Sequence, residues 1–92
     1  MRANALVVFP GGFGTFDELF ELLTLRQTDK APPIPIVLVD RAYWSSIINF
    51  EAMVEHGVIA EKDLDLMGFA GDAEGIWNEL LARGLKPHQN LE

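Results

Sequence analysis

The chain has no cysteine, only seven lysines and arginines among 92 residues, two histidines and a single tyrosine. The missing cysteine removes disulfides, thiolate nucleophiles and thiolate-ligated zinc together, although it does not fix the compartment. The few cations stand against 14 Asp and Glu, giving a net charge of −7, which argues against a broad surface for nucleic acid or an anionic membrane. An anion has to be held locally, by backbone groups and a few chosen side chains. Long apolar runs are lacking too. The longest, Ala5 to Phe9, is far below the roughly 20 residues that span a bilayer, and no charged n-region with a cleavage site precedes it. A cytoplasmic protein with no nucleic-acid or membrane partner is the expectation.

What is present alternates between two periods. Ala5-Leu6-Val7-Val8-Phe9 is apolar at both parities, as in a strand covered on both faces, and Pro10-Gly11-Gly12 ends it. A helical period runs from Thr15 to about Gln27, until Asp29 and Ala31-Pro32-Pro33 break it. Ile34 to Val39 reads as a second buried strand, with Pro35 tolerable near its beginning. Trp44 to Glu55 places Trp44, Ile47, Ile48, Met53 and Val54 at helical spacing, with Gly57 as the C′ residue. Asp63 to Ala70 carries a weaker strand signal, and Asp72 to Arg83 resumes a helical period closed by Gly84. The β-α-β-α-β-α order predicts the α/β class, with a parallel sheet and helices on its faces. Residues 1–86 form one unit, short for a complete doubly wound sheet, and residues 87–92 a polar tail whose last two residues read as a cloning remnant.

The stretch from Pro10 to Glu18 carries the chemistry. A strand that runs through glycines into a helix presents free backbone N–H groups and the positive end of a helix dipole. Gly11, Gly12 and Gly14 would allow positive φ and a close approach to phosphate, and Thr15 adds a hydroxyl. There is no Walker Lys-Ser/Thr ending and no third glycine of the dinucleotide fingerprint, so a tight strand-to-helix turn is the competing reading. Glu18 has two readings as well. Thr15-Phe16-Asp17-Glu18 matches a capping box. On the helical wheel, however, Glu18 falls between Leu22 and Leu25, away from the polar stripe of Asp17, Glu21 and Thr24. The apolar arc, Phe16, Leu19, Phe20, Leu22, Leu23 and Leu25, is too wide for one sheet face and predicts a second partner, most simply a helix of another subunit.

Pro10-Gly11-Gly12-Phe13-Gly14-Thr15-Phe16-Asp17-Glu18 resembles the PGGxGTxxE signature of the LOG family, the cytokinin riboside 5′-monophosphate phosphoribohydrolases, many of them labelled lysine decarboxylase-like. The similarity continues through Glu21 to Gln27, the PIVLVD strand and Tyr43-Trp44, over most of residues 3 to about 80. It implies a Rossmann-like three-layer α/β/α fold, a homodimer through the Phe16–Gln27 helix, and hydrolysis of the N-glycosidic bond of an AMP-like nucleoside 5′-monophosphate. By that resemblance Gly11, Gly12, Gly14 and Thr15 hold the 5′-phosphate, Glu18 is the catalytic carboxylate, and no cofactor or metal takes part. Gln27 is a candidate contact to a base or across the interface. The family's Arg-Lys pair is expected upstream of Met1, with Arg2 too near the strand to replace it. The chain is therefore read as the C-terminal half of the fold, either a fragment or a true short protein, with weak or no catalysis alone. The alternative is a non-catalytic carrier of a nucleotide or phosphoryl ligand, resembling the molybdenum cofactor carrier proteins.

The remaining polar residues read as structural. Lys30, Lys62 and Lys86 fall in polar connections or the tail, so a lysine Schiff base with pyridoxal phosphate has no support. His56 sits at a helix end and His88 in the tail, and Asp63, Asp65 and Asp72 lack the spacing of a calcium loop. Trp44 and Trp77 are expected in the core or an interface.

Overall fold

Three short apolar segments pair in parallel in the computed structural model, which describes residues 5–85. Arg2, Lys86, His88 and the polar tail lie outside the described residues. Strand β1 (Leu6–Val8) is followed by helix α1 (Phe13–Gln27), β2 (Ile36–Val39), helices α2 (Arg41–Ile47) and α3 (Phe50–Glu55), a 3-10 helix (Glu61–Leu66), β3 (Gly68–Ala70) and α4 (Ala73–Ala82). The sheet order is β1-β2-β3, with Val7 beside Val37 and Val37 beside Gly68.

The central strand explains the layers. Ile36, Val37 and Leu38 are all fully buried, which requires cover on both sheet faces. On one face Val8, Ile36 and Leu38 pack with Leu19 of α1 and Trp44 of α2, joined by Leu6, Phe16, Leu22, Leu23, Tyr43 and Phe69. On the other lies α4, in contact with β2 and β3. Gly68 faces it so closely that a Cβ there would come within 2.8 Å of the Glu79 carboxyl carbon. Glu79 and Arg83 form an ion pair at 2.7 Å, and Arg83 also donates to the Asp65 carbonyl at 2.7 Å. This is the partial Rossmann-like α/β arrangement, and among the described residues the outer edges of β1 and β3 have no neighbouring strand.

Several expectations need correction. Helix α1 starts at Phe13, not Thr15, with Gly12 as N-cap and no side-chain cap bond, so the Thr15–Glu18 capping box does not form. The helix expected from Trp44 to Glu55 is two. Ile48 is extended, and Asn49 caps α3 by accepting from the Ala52 N–H at 2.9 Å, a local bond that competes with continuing α2. The strand expected from Asp63 shrinks to three residues because Glu61–Leu66 winds into a 3-10 helix. There the Asp63 carboxylate accepts from Gln27 Nε2 at 2.8 Å and from the Ala60 N–H at 2.9 Å. Those two bonds, the Gln27 one first, hold the Asp63 carboxyl below its ordinary range. Trp77 is half exposed in the single chain rather than core, whereas Trp44 is fully buried. Gly57 and Gly84 take positive φ just past α3 and α4, as C′ residues.

Candidate active site

The site is built where β1 leaves the sheet. Among the described residues the first α1 hydrogen bond runs from the Phe16 N–H to the Gly12 carbonyl at 3.0 Å. The amides of Phe13, Gly14 and Thr15 precede it, so they have no partner within the helix and face out of its positive end. Gly11 lies under the Thr15 side chain, and a Cβ on Gly11 would fall 2.9 Å from the Thr15 Cβ and closer still to its hydroxyl oxygen. The Gly11 carbonyl accepts a hydrogen bond from the Tyr43 hydroxyl of α2. The ring of Tyr43 meets Trp44 edge-on at 5.3 Å, and Trp44 in turn meets Phe16 at 5.6 Å and donates to the Val39 carbonyl at 2.9 Å. An aromatic base thus supports the turn from below.

Thr15 and Glu18 are three residues apart on α1, hence one above the other on the same helix face. Both line a cavity of about 200 Å³ whose other wall is residues 6–10 of β1 and the turn, with Leu19 at its floor. Glu18 is exposed to solvent in the single chain, while Leu22 and Leu25 beside it are half-buried. Gly12 has φ −109°, and neither Gly11 nor Gly14 is among the glycines of positive φ, so the positive-φ reason for these glycines is not what the structure uses. A Cβ on Gly12 or Gly14 would meet nothing within 4 Å.

The structure brings Gly11, Gly12, Gly14, Thr15 and Glu18 together and leaves Gln27 apart. Gln27 ends the 15-residue α1, about 20 Å from the turn at 1.5 Å per residue, and its amide is engaged by Asp63. A larger cleft of about 600 Å³ beside β3, with Arg41, Asn49 and Arg83 among its lining, contains none of the predicted residues. Tyr43 is the residue that sequence reasoning missed as part of the turn. The available signal was its place four residues after β2 ends, at the same carboxyl edge of the sheet where ligands bind in such folds. Among the described residues no group of three or more His, Asp or Glu could hold a metal ion, and no helix is long and apolar enough to cross a membrane.

A parallel sheet whose strand runs through glycines into a helix N-terminus, with a hydroxyl and a carboxylate on that helix, defines a Rossmann-like α/β protein with a candidate site for a phosphorylated ligand. Residues 1–80 match the family described as "Possible lysine decarboxylase", and the chain belongs to that family. It is similar to the cytokinin riboside 5′-monophosphate phosphoribohydrolase LOG3 of Arabidopsis thaliana, 32% identical over 83 residues, covering 86% of this chain and 37% of the relative. It is likewise similar to the probable phosphoribohydrolase LOGL3 of Oryza sativa subsp. japonica, 30% identical over 81 residues, covering 86% of this chain and 38% of that protein. The resemblance to the LOG phosphoribohydrolases therefore holds, over a chain that spans under two-fifths of the length of these relatives.

Proposed function

We propose that this chain carries the phosphate-binding turn and the catalytic carboxylate of a nucleoside 5′-monophosphate N-glycosidase of the LOG type. The amides around Gly12 to Thr15, with the Thr15 hydroxyl, bind the 5′-phosphate. Glu18, one helical turn further on, faces the ribose. Water adds its oxygen to the anomeric carbon while the N-glycosidic bond breaks, and the base leaves with a proton. Glu18 stabilises the oxocarbenium-like ribose and takes the proton of the water; solvent supplies the proton that leaves on the base, and Glu18 returns its own to solvent, which restores the carboxylate. The substrate is AMP-like, with adenine or a cytokinin as the base released, and the setting is cytoplasmic.

The observation that carries this reading is the unexplained glycine. Gly14 is the second residue of α1, where alanine suits the helical backbone better by up to about 1 kcal/mol, yet neither φ nor a neighbour demands glycine. Gly12 is equally free of neighbours. Glycines that the fold does not need leave room for a group from outside it, and the open helix end favours an anion.

The chain acts as a homodimer through α1. Phe20, 37% exposed on that helix, supports a second apolar contact beyond the sheet face. Gln27 would then lie toward the partner. The test places the N-terminal portion of LOG3 before Ala5, supplies AMP or a cytokinin riboside 5′-monophosphate, and follows free base. Release should fall about 10²- to 10⁴-fold in Glu18→Gln. Unchanged release in that variant would remove Glu18 from the chemistry, and binding without any release would favour a carrier.

A further inference from the structure

We propose that Tyr43 is a positioning residue for the anion turn: its hydroxyl holds the Gly11–Gly12 peptide in the orientation that offers an N–H, not a carbonyl, to a bound phosphate. The inference rests on the phosphate reading of the turn and adds to it a lever on a different element.

The geometry is specific. Tyr43 is the chain's only tyrosine, and its hydroxyl donates to the Gly11 carbonyl across 32 residues of sequence. That hydroxyl is aimed from a fixed base. The Asp40 carboxylate accepts from the Tyr43 N–H at 3.2 Å, with Asp40 itself at φ 75°, a conformation that aspartate tolerates better than most residues. The Tyr43 ring stands at 89° to that of Trp44, which is fully buried and tied to the end of β2.

What the hydroxyl fixes follows from the peptide plane. No peptide bond among the described residues is cis. In a trans peptide the carbonyl and the following N–H point in opposite directions. Drawing the Gly11 carbonyl toward α2 therefore turns the Gly12 N–H away from α2. Gly11 and Gly12 have no Cβ, so the peptide between them can rotate with little steric resistance from its own residues. The flipped form would present the Gly11 carbonyl where the Gly12 N–H now points, and its partial negative charge would repel a phosphate. With Tyr43 in place the turn is organised for an anion before the anion arrives, which lowers the ordering cost of binding. Thr15, packed over Gly11 from α1, closes the other side.

The test removes one oxygen. Tyr43→Phe keeps the ring and its contact with Trp44. Inorganic phosphate and AMP are titrated into wild type and variant, read by the ¹⁵N–¹H signals of Gly12, Phe13 and Gly14, with adenosine as the ligand lacking phosphate. The expected result is phosphate and AMP binding about 3- to 10-fold weaker in the variant, the equivalent of one hydrogen bond, with adenosine unaffected. In the LOG3 chimera the same substitution should raise KM for AMP and leave kcat nearly unchanged. A variant that melts at lower temperature but binds phosphate with wild-type affinity would show Tyr43 to be merely structural and overturn the proposal. Wild type that does not bind phosphate at these amides would overturn it together with the phosphate reading. Phosphate binding that depends on Tyr43, without base release by the chimera, would support the positioning role while the glycosidase reading fails alone.

Discussion

Gly14→Ala separates what the fold needs from what the ligand needs. Gly14 is the second residue of α1, its φ is not positive, and an added methyl would meet nothing within 4 Å. The folded chain therefore gains the helix preference of alanine, about 0.5 to 1 kcal/mol. For a domain of this size that is a rise in melting temperature of about 2 to 8 °C. The same methyl stands at the open helix end, where an anion must come within hydrogen-bonding distance of backbone amides. Losing even one charge-assisted N–H bond to phosphate costs about 1.5 to 3 kcal/mol, so phosphate or AMP affinity should fall about 10- to 100-fold. Thermal unfolding followed by far-ultraviolet circular dichroism reads the first effect, and titration with AMP the second. A variant more stable than wild type and deficient in AMP binding is the expected result. Unchanged AMP affinity would refute the claim that these glycines make room for a ligand, and a destabilised variant would show that the fold itself requires the glycine.

The remaining predictions concern the scaffold. Trp44→Phe removes the donor of the buried bond to the Val39 carbonyl and leaves a gap beneath Tyr43, so it should cost about 2 to 4 kcal/mol in denaturant unfolding; a loss under 1 kcal/mol would contradict the role given to this cluster. Gly68→Ala should cost about 1 to 2 kcal/mol by forcing Glu79 and Arg83 apart above β3, with no change in AMP binding. Asp63 ties the 3-10 helix to the end of α1, and its carboxyl is held below the ordinary value. A depressed carboxylate stabilises the fold above its unfolded-state pKa, and the contribution is lost as pH falls through the folded value. Acid should therefore loosen the contact between α1 and the 3-10 helix, and Gln27→Ala should move the Asp63 midpoint up toward that of an ordinary aspartate in a carboxyl-carbon NMR titration. An unmoved midpoint would remove Gln27 as the cause.

The strands and helices were legible where one period dominates. Ile36 to Val39 is apolar at both parities because helices lie on both faces of β2, and α4 shows its N-cap Asp72 and its closing Gly84 in the sequence. Boundaries failed where a local side-chain bond competes with the period. Asn49 interrupts an apolar pattern that looks continuous from Trp44 to Val54, and Asp63 folds a segment into a 3-10 turn that Leu64 and Leu66 made look extended. At the site the residues themselves were visible, but the reason for the glycines was not. The glycine spacing suggests positive φ, whereas the structure has a crowded Gly11 and an uncrowded Gly12 and Gly14. The Tyr43 bond to Gly11 could not be read from spacing, since it joins elements that meet only when β1 and β2 pair.

The most direct measurement is release of free base from AMP by the LOG3 chimera carrying this chain, compared with its Glu18→Gln form. Steady release is expected from the first and a loss of about 10²- to 10⁴-fold in the second, with AMP still bound by the glycine turn. Equal release by both forms, or release that survives while the turn no longer binds phosphate, would contradict it.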